Sequence, residues 1–113
     1  MKLIVAGGRT LTDYDLLKRN LDKLFSYDIE IVSGTANGAD KLGEQWAKEN
    51  YIPIKQFPAN WDLYGKSAGY KRNEQMAQYA DTLIAFWDGE SKGTKHMIDL
   101  AHKYKLKVIV IKY

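Results

Sequence analysis

Four times along the chain a short apolar run gives way to a glycine-bearing turn and then to a stretch with helical spacing, and a fifth apolar run follows the last of these. The runs are Leu3 to Ala6, Ile29 to Val32, Ile52 to Phe57, Thr82 to Trp87 and Lys107 to Ile111. Between them, apolar residues recur at i, i+3 or i+4: Leu17, Leu21, Leu24 and Phe25, then Ala39, Leu42, Gly43, Trp46 and Ala47, then Met76, Ala77 and Ala80, then Met97, Ile98, Ala101 and Tyr104. Strands that are apolar on both faces and alternate with helices must be covered on two sides, and right-handed crossovers do this. The pattern predicts a small doubly wound α/β domain with a mostly parallel sheet. Thr12 followed by Asp15 predicts a capping box at the first helix, and Pro53 marks the start of the third strand.

With 113 residues and 45% hydrophobic content there is material for one core, so a single domain over residues 1–113 is expected. The absence of cysteine excludes disulfides and thiolate metal sites, and no apolar run approaches the roughly 18 residues of a membrane span. Met1 runs straight into a strand-like segment, which argues against a signal peptide and for a cytoplasmic protein. Seventeen Lys and Arg against fourteen Asp and Glu leave a charge of +3, which favours anionic partners but is too mild for a nucleic-acid footprint. Nucleic acid is therefore not the expected partner. No Cys, His or acidic cluster has metal spacing, so no metal or cofactor is expected, and His96 and His102 read as exposed helix residues.

Gly7, Gly8, Gly34, Gly38, Gly65, Gly69, Gly89 and Gly93 all fall between a strand end and the helix after it, and Gly43 alone lies inside a helix. Helix C-termini, where glycine is most often needed, have none. In a doubly wound sheet every strand-to-helix loop opens on the carboxyl edge, where helix N-termini offer unpaired N–H groups to anions. The glycines therefore predict one ligand-binding rim. "VAGGR", "SGTANGAD" and "FWDGESKGTKHM" are its three loops, and none matches GxGxxG or GxxxxGK[ST], which disfavours dinucleotide oxidoreductases and P-loop NTPases.

On that rim the candidate ligand-binding residues are Gly7, Gly8, Arg9, Ser33, Gly34, Asp40, Arg72, Asn73, Asp88, Gly89, Ser91, Gly93 and Thr94. Gly89 and Gly93 let backbone amides approach a phosphate at a helix start, and Ser91 and Thr94 add hydroxyls. Arg9 and Arg72 are the cations expected to neutralise it; Lys41, Lys66, Lys71, Lys92 and Lys95 lie near. Asn73 falls on a buried helix stripe, so its amide needs partners, either neighbouring backbone or a ligand. Asp40 either caps the second helix or accepts from a ribose hydroxyl, and Asp88 either binds a sugar hydroxyl or a metal or ends a strand. These two are the candidate acids or bases. Trp61, Tyr64 and Tyr70 fall in a long loop where an aromatic stacks on a base or staples the loop to the core; Trp61 is expected to be a staple.

"IVAGGR", "VSGTANGAD", "FPANW", "GKSAGYKRNEQM" and "DGESKGTKHM" together resemble the YspA/YpsA-related branch of the SLOG superfamily, the Rossmann-like group that includes the LOG phosphoribohydrolases and the DprA DNA-processing proteins. The resemblance covers nearly the whole chain. It implies a three-layer fold, a five-stranded parallel sheet of order 3-2-1-4-5 with helices on both faces, and a pocket for a nucleotide-derived ligand. It also implies a homo-oligomer. LOG enzymes carry an Arg on the third helix and a Gly-Gly-x-Gly-Thr-x-x-Glu run whose Glu takes part in hydrolysis. Arg72, Gly93 and Thr94 match; the Glu position is Met97, which cannot act as a base or stabilise an oxocarbenium ion. The expectation is a module that binds a nucleotide-derived molecule, such as an ADP-ribose-like species, with a nucleotide-processing hydrolase as the alternative.

Overall fold

The computed structural model describes residues 1–113. Five strands, β1 (Lys2–Gly7), β2 (Glu30–Ser33), β3 (Ile54–Gln56), β4 (Thr82–Trp87) and β5 (Lys107–Lys112), form one parallel sheet in the order β3-β2-β1-β4-β5. The helices are α1 (Tyr14–Asp22), α2 (Ala39–Glu49), α3 (Trp61–Tyr64), α4 (Ala68–Tyr79) and α5 (Lys92–Lys103), with a 3-10 turn at Gly65–Ser67.

The twofold alternation of the strands sorts the core into two layers. Leu3, Val5, Ile31, Ile84 and Phe86 point to the side covered by α1 and α2, through Leu17, Leu21, Ala47 and Trp46. Ile4, Ala6, Val32, Leu83 and Ala85 point to the other, covered by α4 and α5 through Met76, Ala77, Met97 and Ala101. Fully buried side chains such as Phe86 and Trp46 each contribute about 1.5–3 kcal/mol. Trp46 also satisfies its indole N–H on Asp22, at 2.9 Å. Helix α2 lies close on β1 because Gly43 has no Cβ; one built there would fall 2.9 Å from Val5.

Several boundaries differ from the sequence expectation. Burial on both faces holds for β1 and β4, whereas the edge strands β3 and β5 are partly solvent-facing, since an edge has fewer neighbours to cover it. The first helix is capped by Asp13, whose Oδ1 accepts from Leu16 N at 3.0 Å, so the Thr12/Asp15 box does not form. The expected long loop after β3 contains α3 and the 3-10 turn, with Asn60 as the cap of α3. Gly65, at φ +54, ends α3, and Gly69 lies within the first turn of α4. No helix is long and apolar enough to cross a membrane.

The turns after α2 and α5 carry Tyr51 and Lys105 in the left-handed region, at φ +55 and +62. The positions that usually call for glycine are filled by other residues, which is why glycine is absent from those two turns.

Candidate functional site

Strands β1 and β4 are neighbours whose following helices leave for opposite faces, which opens a crevice beyond their carboxyl ends. There the structure has a cleft of about 440 Å³. The β1–α1 loop supplies Gly7, Gly8, Arg9 and Thr10; the β4–α5 segment supplies Asp88, Ser91, Gly93 and Thr94; α4 supplies Tyr70, Arg72 and Asn73. Met76 and Met97, nearly fully buried, add apolar lining.

The loop after β1 is held by backbone contacts: Gly8 N donates to Phe86 O and Ala39 N donates to Gly8 O, each at 3.3 Å. A Cβ on Gly7 would lie 2.6 Å from Phe86 O and 2.7 Å from the Ala39 Cβ, so glycine is needed there for packing alone. The hydroxyl of Tyr113 reaches this loop beside Gly8 and Thr10, and burial together with nearby Asp88 pushes the phenol pKa up.

Behind the cleft, the loop after β2 is braced internally. Ser33 is fully buried; its hydroxyl donates to Glu44 Oε2 at 2.5 Å and accepts from Thr35 N at 3.0 Å. Thr35 sits at φ +63, a strained setting for a β-branched residue. Asp40 is buried, accepts from Ala36 N at 3.1 Å, and its carboxyl is pushed up to about 6, chiefly by burial against the opposing pull of its backbone bond and of Arg72. It does not cap α2, whose N-cap is Gly38 at φ +78.

Helix α4 joins the two loops. Arg72 donates through Nη1 to Gly34 O at 2.5 Å and through Nε to Asn73 Oδ1 at 3.0 Å. The Asn73 amide reaches Gly93 O at 3.5 Å and His96 Nδ1 at 3.2 Å. For His96 to accept, its proton must be on Nε2. Burial lowers the pKa of His96 and favours that neutral ring. His96 is therefore half-buried and engaged, contrary to its reading as an exposed helix residue; His102 is exposed. The Asn73 amide finds its partners within the protein.

Asp88 closes its own turn, accepting from Glu90 N at 2.8 Å and Ser91 N at 2.9 Å, bonds that hold its pKa below the usual carboxylate range. Ser91 caps α5 by accepting from Thr94 N, and its hydroxyl meets that of Thr94 at 2.9 Å. Nothing lies within 4 Å of where a Gly93 Cβ would stand.

Of the residues singled out from the sequence, Ser33, Gly34 and Gly89 do not line this cleft. Gly34 borders an adjoining groove with Arg9, Thr35 and Arg72, and Gly89 borders a third with Lys92 and His96. Trp61 does line the cleft and is 53% exposed, so it is not a core staple. Thr10 and Tyr113 had no sequence signal of their own; the placement of β5 beside β4 is what brings Tyr113 to this edge.

A parallel doubly wound sheet of this order is a Rossmann-like architecture. The comparisons agree. Residues 1–64 match YAcAr, the YspA, cpYpsA-related SLOG family, and the chain belongs to that family. The Gene 61 protein of Mycobacterium phage D29 is 32% identical over 118 residues, covering 96% of this chain and 94% of that protein. Among solved structures, DNA processing protein A (DprA) from Streptococcus pneumoniae matches with a TM-score of 0.80 at 18% identity, over 96% of this chain and 49% of that one. DNA processing protein A from Helicobacter pylori, whose structure concerns a single-stranded DNA binding mode, matches with a TM-score of 0.68 at 22% identity, over 97% of this chain and 64% of that one. The chain thus spans about half to two thirds of these DprA chains, and at such identities the likeness is one of fold.

Proposed function

We propose that residues 1–113 act as a single binding domain for a nucleotide or nucleotide-derived molecule, held with its phosphate in the switch-point cleft. The observation that carries this reading is the convergence there of Arg9, Arg72, the Ser91 and Thr94 hydroxyls and the start of α5, around space that the protein's own side chains leave open. The ligand's sugar and base would extend toward α4.

Hydrolysis is not part of the proposal. Met97 lines the cleft at the position where the LOG pattern has its carboxylate. Asp88 is occupied by its turn, and Asp40, which also lines the cleft, is buried and accepts from Ala36 N. Asp40, its carboxyl raised to about 6, is the acid on which the hydrolase alternative would rest.

A thermal-shift screen against nucleoside monophosphates, cyclic nucleotides and ADP-ribose tests the reading. A ligand at about 100 times its dissociation constant adds about 2.7 kcal/mol. Chromatography of the same mixtures should show no free base; its appearance at useful rates would move the protein to the hydrolase alternative. A homo-oligomer, expected from the resemblance, is tested by light scattering with and without ligand.

Single-strand nucleic-acid binding is the second reading, supported by the fold shared with the DprA proteins and by the half-exposed Trp61 and Tyr70 beside Lys66 and Arg9. The net charge of +3 weighs against it only as a whole-surface average. Oligonucleotide affinity that falls steeply with salt would favour it over the small-molecule reading.

A further inference from the structure

Two of the three tryptophans are used by the fold: Trp46 is fully buried and bonded to Asp22, and Trp87 donates to Ser91 O at 3.1 Å. Trp61 has neither feature. It is 53% exposed, its indole N–H meets no acceptor in the protein, and it lines the main cleft. A half-exposed indole is a poor bargain for folding alone, since much of its apolar surface stays in water.

Its position is set by the short helix α3, which it opens after the Asn60 cap. The Trp61 Cη2 and the Arg72 Nη2 lie 3.7 and 3.8 Å from the point where a Gly69 Cβ would stand. The indole and the guanidinium both border the cleft beside Gly69. Tyr70, 50% exposed, also lines the cleft and is braced by a T-shaped contact with His96, with ring centroids 4.5 Å apart at 75°. Two exposed aromatic rings thus border the same cleft as the cation, one of them held by a neighbouring ring.

We propose that Trp61 and Tyr70 form a base-recognition subsite, stacking on the planar aromatic base of the nucleotide whose phosphate lies at Arg72 and the start of α5. This inference rests on the phosphate-site reading and adds the chemical class of the other end of the ligand. Stacking tolerates any aromatic face, so the subsite selects for a base over its absence more strongly than it selects between bases.

Calorimetric titration of the full chain with AMP, adenosine and ribose 5-phosphate tests the subsite. Wild-type protein should bind AMP at least about 10-fold more tightly than ribose 5-phosphate. Trp61→Ala should weaken AMP about 10- to 100-fold while changing ribose 5-phosphate less than about 2-fold. Trp61→Phe should restore most of the loss, because it keeps a stacking face, and Tyr70→Ala should act in the same direction as Trp61→Ala. Both positions are exposed, so the variants should keep the wild-type melting temperature in the absence of ligand.

Equal affinity for AMP and ribose 5-phosphate, unaffected at Trp61, would overturn the subsite and leave the phosphate reading standing. Adenosine binding as well as AMP, with loss in Trp61→Ala, would support the subsite and remove the phosphate reading. No binding of any of the three would overturn both.

Discussion

Arg72 donates through Nη1 to the carbonyl of Gly34, 38 residues earlier, and so ties helix α4 to the loop after β2. The same guanidinium borders the cleft, where a bound anion would compete with or share it. Arg72 thus has a structural bond and a ligand-facing charge at once, and its substitutions should reveal both.

Arg72→Ala should lower stability by about 1.5–3 kcal/mol, the usual range for a hydrogen bond to a charged group, and should abolish the thermal shift given by a nucleoside monophosphate. Arg72→Lys keeps the charge without the two-pronged donor. It should recover part of the ligand shift but little of the stability, as read by urea denaturation with and without AMP. Equal recovery of both would mean that the guanidinium geometry does not matter.

Glycine substitutions separate packing from access. Gly7→Ala should cost about 1–3 kcal/mol, because the new methyl meets Phe86 O and Ala39. Gly93→Ala has open space and should leave stability within about 1 kcal/mol while weakening a phosphate-bearing ligand at the start of α5. Denaturation curves and titrations on the pair would contradict this if Gly93→Ala unfolded the protein or left affinity unchanged.

Two titrating groups near the cleft have opposite signs. Asp40 has its carboxyl raised to about 6 from 3.8, so the folded state holds more protons there than the unfolded chain between those values. Its contribution is present below about 4 and is lost as pH rises through about 6, by about 3 kcal/mol. Asp40→Asn should flatten that part of the stability profile. His96 has its pKa lowered by burial, against the pull of Asp99 and Glu74, so its contribution is fully present above about 6.5 and is lost as pH falls below that value through the lowered pKa of the folded state. Chemical denaturation of wild type, Asp40→Asn and His96→Leu across pH 4 to 8 should give difference curves of opposite slope.

The turns after α2 and α5 offer a gain. Tyr51 and Lys105 hold left-handed φ values with a Cβ present, and Tyr51 is almost fully solvent-exposed. Tyr51→Gly and Lys105→Gly should each raise stability by about 0.5–1 kcal/mol, visible as an upward shift in melting temperature. A drop at both sites would show that these side chains make contacts worth more than the backbone strain.

The five strands, the two-layer core and the edge that carries the candidate site were legible from the chain because they rest on local signals. Leu3 to Ala6 and Thr82 to Trp87 are apolar on both faces whatever lies beside them, and the glycines mark where strands pass into helices. Arg72 and Asn73 could be placed on one helix by spacing alone. Tertiary contact decided what each group is free to do. Gly34 O accepts from the Arg72 guanidinium, Glu44 accepts from the Ser33 hydroxyl, and His96 Nδ1 pairs with the Asn73 amide, each between different elements of the fold. Trp61 reached the cleft rim because a four-residue helix, too short to leave a periodic signal, turns it outward. Periodicity is written in neighbours a few residues apart, whereas the availability of a donor or an aromatic face depends on which distant groups the folded chain brings against it.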